Sequence, residues 1–164
     1  MGAFKSLHRG VSIRLGMGTT GWAIAAVLTH ASDLGLVVNS PESNELVRIT
    51  IFEDPLVLIV PPSHPWARRK SAHPLDMATE TLILREKGSK TREATEAAIR
   101  DRGLGVGQIM ELADPEAIKS AVRAGLGVSI ISTIAVQEEV RAGTLVAASF
   151  LGGSVRLRFE AIHR

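Results

Sequence analysis

The chain has 164 residues, of which 45% are hydrophobic and 22% are charged, and its formal net charge at pH 7 is +2. This composition is typical of one globular domain or of two small linked ones, and it excludes an intrinsically disordered chain. Basic and acidic residues are interspersed, which excludes the basic surface of a nucleic-acid-binding groove, and the lack of cysteine excludes disulfides and thiolate chemistry.

The longest apolar segment near the N-terminus, residues 22–28, is much shorter than the roughly 20 residues that a membrane-spanning helix needs. It also lacks the basic flank and the cleavage site of a signal peptide. We therefore expect a soluble, cytoplasmic protein with no membrane partner.

The first 60 residues are predicted to form four strands and one helix. Residues 34–38 are continuously apolar, as in strands that are buried on both faces. An acidic turn, Glu53-Asp54-Pro55, is predicted to separate the last two strands. In chain order the predicted elements are strand 11–15, helix 22–30, and strands 34–38, 46–52 and 56–60.

Prolines at positions 61, 62 and 65 interrupt regular structure before the second half of the chain, where a short helical turn is predicted at 75–78. Gly103 stands at an expected helix end, and Asp114 and Pro115 are favoured as the cap and first residue of the next helix. In chain order the predicted elements are strand 81–84, helix 90–102, strand 108–112, helix 115–124, strand 128–132, helix 135–142, and strands 145–148 and 155–163. This alternation predicts βαβ units, a largely parallel sheet and the α/β fold class.

The segment Gly16-Met-Gly18-Thr-Thr-Gly21 matches the dinucleotide-binding fingerprint, since it follows a predicted strand and precedes a helix. The acid that binds the ribose should end the second strand, but Asp33 precedes that strand. Two other interpretations remain open. The loop is a structural tight turn, or Thr19 and Thr20 offer hydroxyl and backbone N–H groups to a small anion.

The segment Gly125-Leu-Gly127 follows a helix and precedes a strand, which is the reverse of a phosphate-binding loop. A helix cap combined with close packing is the favoured interpretation.

The helix predicted from residue 90 begins with unusual charges. Ser89 is a natural N-cap, but Arg92 stands where a capping box has Glu or Gln, and Lys87 and Lys90 are nearby. Cations at this end of a helix are unfavourable by about 0.3–1 kcal/mol each. Either an anionic guest is held by Ser89, Thr91 and the free N–H groups, or the long side chains point into solvent.

No catalytic set is assembled in the sequence. The five histidines are isolated, without metal-ligand spacing, and Ser129 and Ser132 lack a nucleophile elbow. We expect no catalytic residue, no metal, no cofactor and no enzymatic activity. The alternative is a fragment of a dinucleotide-binding oxidoreductase that uses the three glycines of residues 16–21.

Four segments together resemble the effector-binding domain of LysR-type transcriptional regulators. They are Asp33-Leu-Gly-Leu-Val-Val38, Asp54-Pro-Leu-Val-Leu-Ile-Val-Pro-Pro-Ser-His-Pro-Trp-Ala67, Leu82-Ile-Leu-Arg-Glu-Lys-Gly-Ser-Lys-Thr-Arg92, and the stretch from Met110-Glu-Leu-Ala-Asp-Pro-Glu-Ala-Ile-Lys-Ser-Ala-Val122 to Gly-Leu-Gly-Val-Ser-Ile-Ile-Ser132. The segments 86–92 and 110–132 are similar to regulators of sulfur and carbon-fixation genes.

The resemblance implies two α/β subdomains of periplasmic-binding-protein type around a cleft. The first subdomain would comprise residues 11–56 and 144–164 and would be incomplete, and the second would comprise residues 57–143. The cleft would hold a small effector, expected to be anionic. By motif match, the effector-binding residues would be Thr19, Thr20, Ser89, Thr91, Gly127 and Val128.

The resemblance also implies partners and missing parts. The family has a further helix and strand between the threonine loop and the strand at 34–38, and a closing helix after the last strand. It contacts DNA through an N-terminal winged helix-turn-helix, which this sequence lacks. We expect self-association as a homodimer or a tetramer, and control of transcription through that absent head.

Overall fold

The computed structural model describes residues 2–149 and 155–164, whose strands form a seven-stranded sheet. The strands are β1 (Gly35–Val38), β2 (Val47–Val60), β3 (Leu82–Leu84), β4 (Ile109–Glu111), β5 (Val128–Ser132), β6 (Val146–Ala148) and β7 (Arg156–His163). The helices are α1 (Gly2–Leu7), α2 (Thr20–Leu28), α3 (Pro65–Arg69), a 3-10 helix (Pro74–Thr79), α4 (Lys90–Asp101), α5 (Pro115–Arg123) and α6 (Thr133–Ala142).

The α/β class is confirmed, but the prediction of a largely parallel sheet is wrong. The strand order is β1-β7-β2-β5-β3-β4, with β6 also paired to β2. Among the strands named above, only the pairs of β3 with β4 and of β3 with β5 are parallel. The long strand β2 is antiparallel to β5, β6 and β7, so it runs opposite to its neighbours on both sides.

Strand β2 also replaces the two strands that were predicted on either side of an acidic turn. It continues through Asp54 and Pro55, with an irregularity between Thr50 and Phe52. An Asp-Pro pair favours a turn when the aspartate bonds to its own backbone. Here the carboxylate of Asp54 is buried and accepts hydrogen bonds from the Ser132 hydroxyl and the Ile134 N–H instead, so the local turn signal is overridden.

The strand predicted at 11–15 is absent. This segment has no regular structure and is mostly exposed, and it pairs with no described strand. An alternating pattern gives a stable strand only when a neighbouring strand satisfies its backbone groups and buries one face.

The longer predicted helices are present, and the signals for the start of α5 and for the ends of α4 and α5 are confirmed. Oδ1 of Asp114 accepts a hydrogen bond from the backbone N of Ala117 at 2.8 Å, and Pro115 begins α5. Gly103, with φ of 63°, follows the end of α4 and Gly125, with φ of 76°, follows the end of α5. These left-handed conformations favour glycine because it has no Cβ to clash with the backbone.

Apolar clusters on both faces of the sheet hold the elements in place. Ile99 of α4 packs on the face that contains Leu58 and Leu82, whereas Ile118 of α5 packs on the opposite face. A third cluster fixes α2 against β1 and β7, and its buried members are Val27, Val37, Leu46 and Ile162. With the elements held in this way, the first residues of α2 and α4 line one cleft.

Candidate functional site

The starts of three helices meet at a cleft of about 490 Å³. Helix α2 contributes Thr19 and Thr20, α4 contributes residues 88–91, and α6 contributes Ser132. The other lining residues are Gly18, Arg85 and Glu86 and the apolar Val38, Leu157 and Phe159. Because N–H groups at a helix start are unpaired and carry partial positive charge, such a meeting point favours an anion.

The start of α2 is fixed by its two threonines. Oγ1 of Thr19 accepts a hydrogen bond from the backbone N of Trp22 at 3.2 Å. The Thr20 hydroxyl donates to the carbonyl oxygen of Val38 at 3.3 Å and lies 3.4 Å from the Val38 N–H, which donates to it. Thr20 therefore ties α2 to β1, while the Thr19 hydroxyl keeps its proton for a guest.

The glycines before α2 serve the packing of an indole ring. A Cβ atom at Gly16 would lie 2.4 Å from Cη2 of Trp22, and one at Gly18 would lie 2.6 Å from Cε3 of the same ring. The strand that a dinucleotide fingerprint requires before these glycines is missing from the described residues. Close packing against Trp22 therefore explains Gly16 and Gly18, and the oxidoreductase alternative loses its support.

The start of α4 is left open. Ser89 occupies the N-cap position, but its side chain makes no capping hydrogen bond. The first N–H groups of the helix thus lack the acceptor that a capped helix supplies. Ser89 and Thr91 are half-buried and line the cleft, so the open helix start borders this space.

Arg92 corrects our interpretation of the charges at this helix start. Its side chain is buried, neither in solvent nor in the cleft lining. Nε donates to Oε1 of Glu96 at 2.7 Å, and Nη1 donates to Oε2 of Glu111 at 2.5 Å and to the carbonyl oxygen of Arg85 at 2.9 Å. The bonds to Glu96 and then Glu111 raise the pKa of the Arg92 guanidinium further. Internal carboxylates therefore balance this charge.

The remaining basic residue of the first turn is also paired. Nζ of Lys90 lies 2.6 Å from Oε2 of Glu93, and Lys87 is exposed and does not line the cleft. Neutral hydroxyl and N–H donors therefore dominate the surface that α4 presents.

Arg85 and Glu86 line the cleft and were not singled out by the sequence. Nε of Arg85 donates to Oε2 of Glu86 at 2.8 Å, and Nη2 donates to Oε1 at 3.0 Å, so the carboxylate fills one edge of the guanidinium. The bond from Arg85 lowers the pKa of Glu86 and outweighs the opposing effect of burial.

Ser132 was also missed as a lining residue. Its hydroxyl donates to Oδ2 of the buried Asp54, which also accepts from the N–H of Ile134 at 3.3 Å. An internal carboxylate therefore occupies the positive end of α6, whereas the start of α4 has no such partner among the described residues.

Gly127 and Val128 do not line the cleft, contrary to the expectation from the motif. Val128 begins β5, at the end opposite Ser132, and is fully buried, and Gly127 directly precedes the strand. A Cβ atom at Gly127 would lie 2.3 Å from the carbonyl oxygen of Thr81, so close packing explains this glycine.

Among residues 2–149 and 155–164, no group of three or more His, Asp or Glu residues is placed to hold a metal ion. In the same part of the chain, no helix has the length and apolar character needed to cross a bilayer.

The comparisons with solved structures agree with this architecture. The regulatory domain of CcmR from Synechocystis PCC6803, solved in complex with 2-PG, is similar with a TM-score of 0.88. Its sequence identity is 26%, over 99% of this chain and 78% of that chain. The regulatory domain of the LysR family regulator MetR from N. meningitidis has a TM-score of 0.82 at 19% identity, over 99% of this chain and 75% of that chain, which supports the fold alone.

Sequence relatives are regulators rather than enzymes. The RuBisCO operon transcriptional regulator of Allochromatium vinosum is 31% identical over 164 residues, which is 100% of this chain and 54% of that protein. The regulator CbbR of Sinorhizobium medicae is 34% identical over 99% of this chain and 52% of that protein. The chain thus spans about half the length of the curated relatives that it matches. The LysR substrate binding domain profile matches residues 1–164, and the chain belongs to that family.

Proposed function

We propose that this chain is the effector-sensing part of a LysR-type transcriptional regulator, and that its effector is a small anionic metabolite held in the cleft. One observation carries the proposal: the uncapped start of α4 faces the start of α2 across a cavity of about 490 Å³. This volume lies in the range of small-molecule sites, roughly 300–1,000 Å³. Helix starts of this kind bind carboxylate, sulfate and phosphate groups.

The direct contacts are assigned to hydroxyl groups and backbone N–H groups. Thr19 acts from α2 through its hydroxyl and Thr20 through its backbone N–H, because the Thr20 hydroxyl is bound to Val38, and Ser89 and Thr91 act from α4. Their support is that all four line the same cavity although α2 and α4 lie far apart in the chain. The apolar floor formed by Leu157 and Phe159 would strengthen each polar contact by excluding water.

The relatives support an anionic effector. The CcmR regulatory domain, at 26% identity, was solved with 2-PG, and the Allochromatium relative is a regulator of the RuBisCO operon. On this basis we propose that the effector is a small phosphorylated or carboxylated metabolite.

The division into subdomains and the partners belong to the same proposal. Residues 11–56 with 144–164 and residues 57–143 would form the two sides of the cleft, and effector binding would change their relative position. DNA contact would come from a winged helix-turn-helix outside this sequence, in a cytoplasmic regulator.

Self-association as a homodimer or a tetramer is proposed from an open apolar surface. Leu36 of β1 and Ile49 of β2 lie in one cross-strand row with Ala161 and are exposed. Exposed apolar rows of this kind mark contact surfaces. Light scattering at several protein concentrations would measure the mass, and a monomer at all concentrations would contradict this part of the proposal.

Calorimetric titration tests the effector site. Inorganic phosphate, sulfate and 2-PG are titrated into the wild-type protein and into Thr91→Val, with glycerol as the neutral probe. Thr91→Val keeps the shape of the side chain but removes a hydroxyl, so affinity for the best anion should fall by roughly 1–2 kcal/mol with little change in stability.

The control is Thr144→Val, an exposed threonine after α6 that does not line the cleft. Equal affinities of the wild type and Thr91→Val, or no preference for anions over glycerol, would contradict the assignment.

A further inference from the structure

The ion pair between Arg85 and Glu86 occupies the cleft wall beside the start of α4. Two parallel hydrogen bonds of 2.8 Å and 3.0 Å join the guanidinium to the carboxylate. Both side chains are only partly exposed, at 27% for Arg85 and 35% for Glu86. The pair is therefore neither a loose surface contact nor a sealed core contact, and water or a ligand reaches it from the cleft.

The guanidinium edge that Glu86 occupies is also the edge that an anionic ligand would bind. Carboxylates and phosphates bind arginine through two parallel N–H···O bonds, which is the geometry that Glu86 already satisfies. Within the described residues, Nη1 of Arg85 has no recorded acceptor, so one donor group remains for a guest while the pair is closed.

The backbone beneath this pair is held firmly. Nη1 of Arg92 donates to the carbonyl oxygen of Arg85 at 2.9 Å, and Arg92 is itself fixed by two carboxylates. Exchange of partners at Arg85 therefore needs only rotation of side chains and no movement of the chain.

We propose that Glu86 is an internal competitor of the effector. Its carboxylate occupies one edge of the Arg85 guanidinium, and an anionic ligand binds that edge only by displacing the carboxylate. This inference rests on the proposed anion-binding function. Since Glu86 is the neighbour of Arg85 in the chain, its effective concentration at the guanidinium is high. A ligand displaces it only by offering two acceptor oxygens in the same plane together with contacts at the helix starts. Glu86 thus raises the affinity that a ligand needs in order to bind this edge of Arg85 through two N–H groups.

Calorimetry on four proteins tests the competition: wild type, Glu86→Gln, Arg85→Gln and the double variant. Inorganic phosphate and sulfate are the probes, at one fixed physiological ionic strength. Glu86→Gln keeps the size of the side chain and weakens the competing bond from charged to neutral, so both probes should bind about fivefold to tenfold more tightly. Arg85→Gln should weaken binding, and in that background Glu86→Gln should have no effect.

Loss of a negative charge also raises anion affinity through the long-range electrostatic potential of the protein. Two comparisons distinguish this effect from competition at Arg85. Glu138→Gln removes the same charge from an exposed position on α6 that does not line the cleft, and its affinity should stay within twofold of wild type. A gain from Glu86→Gln that persists with Arg85→Gln, or that Glu138→Gln reproduces, would overturn the competition.

The two levels of the proposal fail in different ways. If the wild type binds phosphate or sulfate and Glu86→Gln binds no more tightly, the competition is refuted while the anion site stands. If none of the four proteins binds either probe, both the anion site and the competition are refuted.

Discussion

Replacing Arg92 by methionine should destabilise the chain and loosen the loop that carries Arg85. The guanidinium joins three separate pieces of the chain: the next turn of α4 at Glu96, the end of β4 at Glu111, and the loop after β3. Removing one partner of a fully buried ion pair costs about 3–5 kcal/mol. Here the two carboxylates are 41% and 49% exposed and regain water, so the free energy of unfolding should fall by less, about 1–3 kcal/mol.

Urea unfolding of the wild type, Arg92→Met and Arg100→Met measures this cost. Arg100 is an exposed arginine of the same helix whose side chain has no recorded partner among the described residues, so its replacement should change stability by less than about 0.5 kcal/mol. A double-mutant cycle with Glu111→Gln then isolates the contact between α4 and β4. Equal stabilities of the two arginine variants, or additive effects in the cycle, would refute the structural role of Arg92.

Two further predictions concern the packing and the acid stability of the fold. Gly127→Ala places a Cβ 2.3 Å from the carbonyl oxygen of Thr81, so the free energy of unfolding in urea should fall by about 1–3 kcal/mol. In Gly105→Ala the new Cβ meets only a 3.6 Å contact, so the loss should be far smaller. Equal losses in the two variants would refute the packing argument. For the buried Glu160, burial acts to raise the pKa, but hydrogen bonds from the hydroxyl and N–H of Ser40 at 2.7 Å and 2.9 Å, with nearby arginines, lower it overall below its ordinary value of 4.5. A lowered folded pKa gives stability that is present above about pH 4.5 and lost as pH falls through the folded value. Glu160→Gln should therefore lower the free energy of unfolding at pH 7 by about 1.5–3 kcal/mol, and that free energy should fall less steeply with decreasing pH than in the wild type. An equal slope in the two proteins would contradict this reasoning.

The sequence predicted the features of the fold that depend on near neighbours in the chain. The cap formed by Asp114 and the left-handed glycines after α4 and α5 need only a few adjacent residues, and the structure has them. The continuity of β2 could not be predicted in this way, because the partners of Asp54 lie 78 and 80 residues further along the chain. A local turn signal loses when a distant hydrogen-bond partner is stronger.

The same distinction applies to the cleft. Ser89 and Thr91 were suggested by the unusual charges of a helix start, and both line the cavity. The role of Arg92 was misjudged because Glu111, its partner on β4, lies 19 residues away in the chain. Arg85 and Glu86 were missed for a further reason: neighbouring side chains in an extended segment normally point to opposite sides, so a two-bond pair between them is not expected from sequence.

The three helix starts at the cleft differ in how their unpaired N–H groups and partial positive charge are compensated. At α6 the carboxylate of Asp54 is a permanent internal anion, bound by Ser132 and by the N–H of Ile134. At α2 the neutral hydroxyl of Thr19 accepts one N–H and leaves the charge of the helix end uncompensated. At α4 the Ser89 side chain makes no cap, and the acidic groups Glu86 and Glu93 are bound to Arg85 and Lys90 instead. A guest anion therefore gains most at α4, because only there would it supply both the missing acceptor and the missing charge. An acidic residue at position 89 would satisfy the same requirement from within the chain and close the site to a ligand.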